Sequence, residues 1–274
     1  MRTRGHFRFG FGLALAAAAF VSPLLWLLSL SLKTGPAVYE YPPRIVPAAP
    51  SLANYAFVLA KTQVPYYLAN SAKVAALATL LTLAIALPAA FVLSRERFPG
   101  RGSLIQALML VQLVSPLILL VPIYGVVSAL GLLDSHAGLI LVYASVQLPL
   151  TVSVLRTFCD AMPRELFEAA SLDGATRFGM LWRVALPLLG PGLGSAAIFN
   201  LAAYWAEFSL SLVLLDSQEY FTVPVGLFNL QSGYETEWQI VAAAALIALA
   251  PVLAAFVALQ RYFVAGLTAG AVKG

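Results

Sequence analysis

Charged residues are scarce in this chain. Asp, Glu, Lys and Arg make up only 10% of its 274 residues, against about 25% in a typical soluble domain. Hydrophobic residues make up 61%, and the mean hydropathy is +0.88. Because so few charges cannot cover a folded surface in water, the composition excludes a soluble globular protein and indicates an integral membrane protein.

Cysteine, histidine and lysine are also rare, and each scarcity excludes a class of site. The single Cys159 cannot form an internal disulfide. His6 and His136 lie in different segments from it, without a metal-binding spacing, which disfavours an intramembrane enzyme. None of the lysines follows a glycine, so the chain has no Walker A sequence and cannot hydrolyse ATP itself. The formal net charge of +4 comes without a basic cluster on a soluble surface, so we expect no nucleic-acid partner.

Long apolar runs, by contrast, are abundant. A membrane-spanning helix needs about 20 mostly apolar residues, and the runs here are continuous rather than alternating as in barrel strands. The first run is longer than the roughly 7–15 apolar residues of a signal peptide, so we expect a retained first helix. The sequence therefore predicts an all-α membrane protein with six transmembrane helices: Phe9–Leu32, Ser71–Ser94, Leu104–Leu130, Gly138–Phe158, Leu188–Leu215 and Ile240–Phe263.

The basic residues predict the orientation of these helices. Cytoplasmic loops carry an excess of Lys and Arg. With the N-terminus inside, 12 of the 16 basic residues fall on the cytoplasmic side and only Lys33, Arg44, Lys61 and Lys73 outside. Both termini are therefore predicted to be cytoplasmic. The outer loop 33–70 is predicted to be extended and then to form a short amphipathic helix on the membrane.

The loop between the fourth and fifth predicted helices is unusual because it is charged and patterned. Pro163 to Asp173 is predicted to form a helix, and Gly174 fits the left-handed residue that ends one. A second helix is predicted to follow, with an apolar stripe of Phe178, Leu181, Trp182 and Ala185. On pattern alone, the loop is either a hairpin resting on lipid headgroups or a structure that docks into a cytoplasmic partner.

The residues of this loop resemble the EAA loop of ABC importer permeases. That pattern is E-A-A, three residues, G, nine residues, I, one residue, L-P. Here it is matched by Glu168-Ala169-Ala170, Gly174, Val184 and Leu186-Pro187, with valine replacing isoleucine. The ending QRYFVAGLTAGAVKG is similar to the C-terminus of maltose-type permeases. The resemblance covers nearly the whole chain and is densest from residue 150 onward.

The resemblance implies a fold, partners and a coupling role. It implies the type I ABC importer permease fold in a single domain, with a core of about 66–263, a coupling loop at 160–187 and a cytoplasmic tail at 264–274. The chain would sit in the bacterial inner membrane beside a second, homologous permease, above two copies of an ATPase that uses ATP and Mg, and below an extracytoplasmic sugar-binding protein. This chain itself would bind no cofactor or metal and would not be an enzyme. The residues implied to couple it to the ATPase are Glu168, Ala169, Ala170, Asp173, Gly174, Phe178, Leu181, Pro187, Gly266 and Lys273.

Substrate contacts are predicted from polar and aromatic residues inside the apolar runs, where such groups usually face a bundle interior. The candidates for a sugar path are Gln112, Gln147, Asn200, Tyr204, Trp205 and Glu207. In the outer loop 216–239, the resemblance implies binding-protein contact by Asn229, Gln231 and Tyr234. The transported solute would be an oligosaccharide, a disaccharide or a polyol phosphate.

An ion-coupled secondary sugar transporter is the alternative function. Such transporters usually carry buried ionisable groups and internal repeats. Here only Glu207 lies near the membrane interior, and no clear repeat is present. The alternative is therefore disfavoured.

Overall fold

The computed structural model describes the backbone of residues 2–231 and 237–271, and the side chains of residues 12, 15–231 and 237–258. Every regular element in this described part is helical. The first half of the chain forms α1 (Arg2–Ser31), α2 (Gly35–Val38), α3 (Ala53–Lys61), α4 (Val64–Arg95), α5 (Arg101–Val111), α6 (Leu120–Ala129) and α7 (His136–Ala161). The second half forms α8 (Glu165–Leu172), α9 (Arg177–Gly179), a π-helix (Met180–Ala185), α10 (Leu186–Leu188), α11 (Gly190–Ala206), α12 (Ser209–Leu214), a 3₁₀ turn (Gln218–Tyr220), α13 (Val223–Leu230) and α14 (Trp238–Ala271).

Three of the described helices are long and apolar enough to cross a membrane: α4, α7 and the Trp238–Ala258 part of α14. A fourth candidate is a bent pair, Arg177–Leu188 with Gly190–Ala206, whose two arms meet at 78°. The second, fourth and sixth predicted helices are therefore confirmed as apolar helices of spanning length. The fifth is shorter than predicted and starts from a sharp bend.

The third predicted helix, Leu104–Leu130, is wrong as a single element. The chain forms α5 and α6 with a run of turns between them, from Gln112 to Leu119. Pro116 lies in this run and has no N–H to donate, and it disfavours helical backbone at the residue before it. Apolar composition persists through the interruption, so composition alone does not reveal it.

The chain divides into two compact units. The first contains residues 1–66 and 226–251, and here Asn54 ties the end of α1 to α3. Its amide donates to the carbonyl oxygens of Ser31 and Lys33, at 2.8 Å each, and the Tyr55 hydroxyl lies 2.7 Å from the Ser31 hydroxyl. The predicted short helix is confirmed as α3, whereas the stretch before it, predicted to be extended, contains the short helix α2.

The second unit contains residues 67–225 and 252–274. Its core is built by the C-terminal halves of α4 and α7, the start of α11, and side chains from α8 and the π-helix. The buried members of this core are Ala86, Leu87, Ala90, Phe91, Leu93, Val152, Leu155, Cys159, Phe167, Leu181, Ala185, Leu189 and Ala196. The charged loop between α7 and α11 is therefore packed into the core of this unit at several points.

Candidate functional site

The loop 163–187, called here the coupling segment, turns at Gly174. The helix α8 ends there with the backbone of Gly174 at φ +80°, as predicted for a left-handed C-terminal residue. The Gly174 N–H donates to the Ser171 carbonyl at 3.0 Å, and the Ala175 N–H donates to the Ala170 carbonyl at 2.9 Å. This pair of bonds is the Schellman arrangement, which satisfies carbonyls at the end of the helix. The turn is therefore fixed by backbone hydrogen bonds.

The helix before this turn begins later than predicted. Its first residue is Glu165, with Arg164 at the N-cap, so Pro163 lies outside the helix rather than in its first turn. Glu165 and Glu168 occupy the first turn, where negative charge interacts favourably with the helix dipole.

The second arm of the coupling segment begins at a cap that the sequence analysis missed. The Thr176 hydroxyl accepts the N–H of Gly179 at 3.1 Å, which satisfies one of the free donors of the first turn. A threonine directly before an apolar periodic run is a recognisable start signal. The arm then continues as the π-helix and α10 to Leu188. A π-helix is rare in proteins and is often found at functional sites.

The four side chains of the predicted apolar stripe differ in burial. Leu181 and Ala185 are buried in the core. Phe178 and Trp182 are 70% and 47% exposed, with their rings 5.6 Å apart. The wide turn of the π-helix changes the i, i+3, i+4 register on which the stripe was based. The side chains that hold this arm in the core are therefore Leu181 and Ala185.

The coupling segment is instead held by Phe167, which the sequence analysis did not single out. Phe167 is 8% exposed, and its ring centroid lies 5.8 Å from that of Phe91 on α4. The Arg95 guanidinium lies over the same ring, at 4.3 Å from its centroid. Phe167 thus packs against both an aromatic ring and a cation, whereas the neighbouring Leu166 is 43% exposed. In a helix of only eight residues, hydrophobic periodicity does not show which of Leu166 and Phe167 is buried.

Arg95 also fastens the end of α4 to the end of α7. One of its guanidinium nitrogens donates to the Cys159 carbonyl and, at 2.8 Å, to the Met162 carbonyl. These carbonyls lie at the C-terminus of α7, where a cation is favoured by the helix dipole. A second link is the ion pair of Arg177 with Glu96, at 3.1 Å. Through these contacts, the coupling segment is attached to two candidate membrane helices.

Most residues around the turn are not buried in the core. Glu168, Ala169, Asp173 and Gly174 are exposed, and Ala170 is half-buried. Because Ala169 and Ala170 have small side chains, another surface can approach the backbone of α8 closely beside the Glu168 carboxylate. Pro187 is also exposed, two residues before the 78° bend.

The predicted sugar-path residue Glu207 binds its own chain. It interrupts the fifth predicted helix, and its carboxylate accepts the N–H groups of Leu210 at 2.9 Å and Ser211 at 3.1 Å, in the first turn of α12. The Tyr143 hydroxyl donates to the same carboxylate at 3.0 Å. The carboxylate is therefore used to start α12. Tyr204 stacks on Tyr143, with centroids 5.1 Å apart.

The other predicted sugar-path residues are spread over three helices. Gln112 is exposed at the end of α5 and donates to Ser153 at 3.2 Å. Asn200 is 1% exposed and accepts from Thr151 at 3.1 Å, so solute cannot reach it in this conformation. The amide nitrogens of Asn200 and Gln147 are buried without a partner among the described residues. Trp205 is half-buried on α11. A shared sugar path through these residues stays a prediction.

The predicted binding-protein residues are only partly described. Asn229 and Gln231 are exposed at the end of α13. Tyr234 and Lys273 lie outside the described residues, and so does the surrounding of Gly266.

Asp134 binds the start of the loop that follows α12, within the second unit. One oxygen of its carboxylate accepts the N–H groups of Asp216 and Ser217, at 2.9 Å each, and the other accepts from the Ser217 hydroxyl. Burial alone would raise the pKa of this carboxyl, but the hydrogen bonds from Ser217 and Asp216 outweigh it and lower the pKa. Asp134 is thus bound most strongly in its charged form.

The chain is similar to a known family of transport proteins and to several of its members. The family described as "Binding-protein-dependent transport system inner membrane component" matches residues 83–269. The sulfoquinovosyl glycerol transport system permease protein SmoH of Agrobacterium fabrum is 36% identical, over 92% of this chain and 88% of that protein. The diacetylchitobiose uptake system permease protein DasC of Streptomyces coelicolor is 37% identical, over 93% and 92%.

A solved structure shows the same fold. It is a bacterial ABC transporter involved in the import of the acidic polysaccharide alginate, and one of its chains matches with a TM-score of 0.80 at 23% identity, over 95% of this chain and 98% of that one. The chain therefore belongs to the inner-membrane components of binding-protein-dependent transport systems, and it is a multi-pass, non-catalytic permease of an ABC importer.

Proposed function

We propose that the chain is one of two permease subunits of a carbohydrate importer. Its relatives SmoH and DasC are named for the transport of sulfoquinovosyl glycerol and diacetylchitobiose, and the SugB protein of Mycobacterium tuberculosis, at 34% identity, for that of trehalose. All three contain a glycosidic bond, which favours a disaccharide, an oligosaccharide or another glycoside over a polyol phosphate. The ion-coupled alternative has no support, since the family is defined by binding-protein-dependent transport.

The proposed topology has six membrane crossings with both termini in the cytoplasm, in one type I permease domain with a core of about 66–263. Four crossings are supported by α4, α7, the bent pair ending in α11, and α14. The other two would be α1, which is 30 residues long and apolar over its Leu15–Ser31 part, and the interrupted pair of shorter apolar helices α5 and α6. The 12-to-4 distribution of basic residues supports the orientation.

The coupling segment is proposed to receive the movement of a partner ATPase. The observation that carries this proposal is its two-faced construction: Phe167 and Leu181 are buried in the core, whereas Glu168, Ala169 and Asp173 face outward from a turn fixed at Gly174. A rigid, anchored element with an open face suits force transmission better than a loop resting on headgroups. ATP and Mg would be used by two copies of the ATPase, and the tail with Gly266 and Lys273 would lie along them.

The proposed outer partner is a sugar-binding protein. A second solved structure of the alginate transporter is a complex with a periplasmic protein bound to an alginate pentasaccharide, and it matches this chain with a TM-score of 0.67 at 18% identity. Asn229, Gln231 and Tyr234 would meet such a protein, and Gln112, Gln147, Asn200, Trp205 and Glu207 remain the proposed sugar path.

The test is to purify the chain from its native membrane. A second permease and an ATPase should co-purify, and sugar uptake should stop when the ATPase is inactivated. Uptake by the chain alone, without an ATPase, would contradict the proposal.

The docking face is tested by Glu168→Ala, which we expect to lower the amount of co-purified ATPase because it removes the acidic group directly preceding the alanine pair. Glu165→Ala is the matched control, since Glu165 lies on the same helix turn and is also exposed. Equal ATPase recovery with both variants would show that Glu168 is not part of the contact.

A further inference from the structure

Two neighbouring grooves lie where α4 and α5 meet the coupling segment. The first, called here the basic groove, has a volume of about 330 Å³, and its wall includes Arg95, Arg97, Arg101 and Arg164. Glu96 and Glu168 also line it, so four positive charges face two negative ones. Glu96 is further neutralised by its ion pair with Arg177. The groove therefore carries an excess of positive charge.

Two of the four arginines are already used by the fold. Arg95 donates to the end of α7, and the Arg101 side chain donates to the Leu93 carbonyl at 2.7 Å. The guanidinium groups of Arg97 and Arg164 donate no hydrogen bond to any residue in the described part of the chain. Both side chains are exposed. They are therefore available to an anion in the groove, and each can bind one with two parallel hydrogen bonds.

The second, called here the apolar groove, has a volume of about 400 Å³. Its wall includes Pro88, Phe91, Val92, Phe98, Phe178 and Leu181. Pro88 and Val92 belong to the last turns of α4, which is a candidate membrane helix. Glu96 and Arg97 line both grooves, so the two cavities adjoin.

From this juxtaposition we infer that the paired grooves bind an anionic phospholipid, with the headgroup phosphate in the basic groove and an acyl chain in the apolar groove. An acyl chain needs an apolar surface that continues into the bilayer, and the last turns of α4 supply it. A phosphodiester needs cationic hydrogen-bond donors next to the groove that holds the acyl chain. Arg97 and Arg164 supply these donors. Basic pockets beside membrane helices on the cytoplasmic side bind anionic lipids in other membrane proteins.

The inference goes beyond the proposed function and relies only on its cytoplasmic orientation. It also explains why Phe178 is exposed: its ring lies on the wall of the apolar groove, where a lipid chain would cover it. Because the same grooves are walled by Phe167 and Leu181, an anionic lipid would contact the anchor of the coupling segment.

The test uses the whole transporter, purified with its ATPase and second permease, in phosphatidylcholine nanodiscs with and without phosphatidylglycerol. Native mass spectrometry counts the phosphatidylglycerol molecules retained, and a titration gives their apparent affinity. The variant Arg97→Gln/Arg164→Gln should bind phosphatidylglycerol about 25-fold more weakly, at roughly fivefold for each charge near the surface. Arg97→Lys/Arg164→Lys keeps both charges and should retain most of the affinity.

The control is Lys61→Gln/Arg183→Gln, which removes the same net charge from exposed positions that line neither groove, one on each predicted side of the membrane. It should leave the affinity unchanged. Retention of phosphatidylglycerol by the Arg97/Arg164 glutamine variant at the wild-type level would overturn the inference. Loss of the ATPase from that variant with lipid retention unchanged would also overturn it, and would assign the basic groove to an acidic protein surface. The lipid count does not depend on transport, so a failure of sugar uptake with normal lipid binding would refute only the proposed function.

Discussion

Replacing Gly174 by valine tests the turn of the coupling segment most directly. A Cβ at this position would meet nothing within 4 Å, so the substitution causes no clash. Its cost comes from the backbone, which is left-handed at φ +80°. An ordinary side chain in this region costs about 1–2 kcal/mol, and a β-branched one costs more.

The chain can relieve this strain only by leaving the left-handed conformation. That change breaks the two Schellman hydrogen bonds, each with a net value of about 0.5–1.5 kcal/mol, and redirects the arm that follows. The Phe167 anchor and the core of the second unit are untouched. We therefore expect Gly174→Val to insert and to remain folded but to lose sugar uptake, measured in proteoliposomes together with uptake-coupled ATP hydrolysis. Gly174→Asn should retain most of the uptake, because asparagine tolerates this conformation.

Gly131 provides a matched control at the end of α6. Its φ is +66°, no atom lies within 4 Å of a Cβ built there, and it ends its helix with the same two bonds. The Gly131 N–H donates to Ser128 at 2.9 Å, and the Leu132 N–H donates to Val127 at 3.0 Å. Gly131→Val should cost similar stability without uncoupling. Wild-type uptake by Gly174→Val, or an equal loss of uptake in Gly131→Val, would refute the reasoning.

Three further substitutions follow from the packing and hydrogen bonds. Phe167→Ala should destabilise the transporter by about 3–5 kcal/mol and uncouple ATP hydrolysis from uptake, because it leaves a cavity where the Phe167 ring packs in the core. Phe178→Ala, at an exposed position, should do neither. A thermal unfolding assay and an ATPase assay distinguish the two variants. Glu207→Ala should lower thermal stability without changing the KM for sugar, because its carboxylate holds N–H groups of α12 and the Tyr143 hydroxyl; a raised KM at unchanged stability would assign it to the sugar path instead. Asp134→Asn removes a charge-dependent link: since the folded pKa is lowered, this stabilisation is present above the ordinary carboxyl pKa of about 3.9 and is lost as the pH falls through the lowered value. Melting temperatures of Asp134→Asn and wild type should therefore converge at acid pH, and a constant difference across pH would contradict the assignment.

The features that the sequence predicted correctly depend on short-range physics. Continuous apolar runs were enough for α4 and α7, since a spanning helix satisfies its own backbone. The turn at Gly174 was equally predictable, because a glycine between two amphipathic stretches determines its own conformation. These elements carry their signals within about 20 residues.

The features that were missed depend on contacts between distant residues or on polar groups within apolar runs. Phe167 is an anchor only because Phe91 and Arg95 lie beside it. Glu207 ends α11 because its carboxylate binds the N–H groups that follow it. In sequence it is simply a polar residue in an apolar run, so these hydrogen bonds to the start of α12 cannot be predicted from its position. A prediction from α-helical periodicity assumes 3.6 residues per turn. The π-helix has a wider turn, so Phe178 and Trp182 do not follow the predicted register.

The corner between the second arm and α11 has a mechanical consequence. The arm Arg177–Leu188 and the helix Gly190–Ala206 meet at 78°, and backbone hydrogen bonds of 2.9 Å from Leu189 to Ala185 and 2.8 Å from Leu193 to Leu189 hold the joint. At 1.5 Å per residue, the two limbs measure about 18 Å and about 25 Å. Rotation of this L-shaped piece by about 10° displaces the end of one limb by about 3 Å and the end of the other by about 4 Å in a nearly perpendicular direction. Under the proposed coupling, a small sideways push on Arg177–Leu188 would tilt Gly190–Ala206, so the stroke required of the ATPase would be no longer than the displacement it produces.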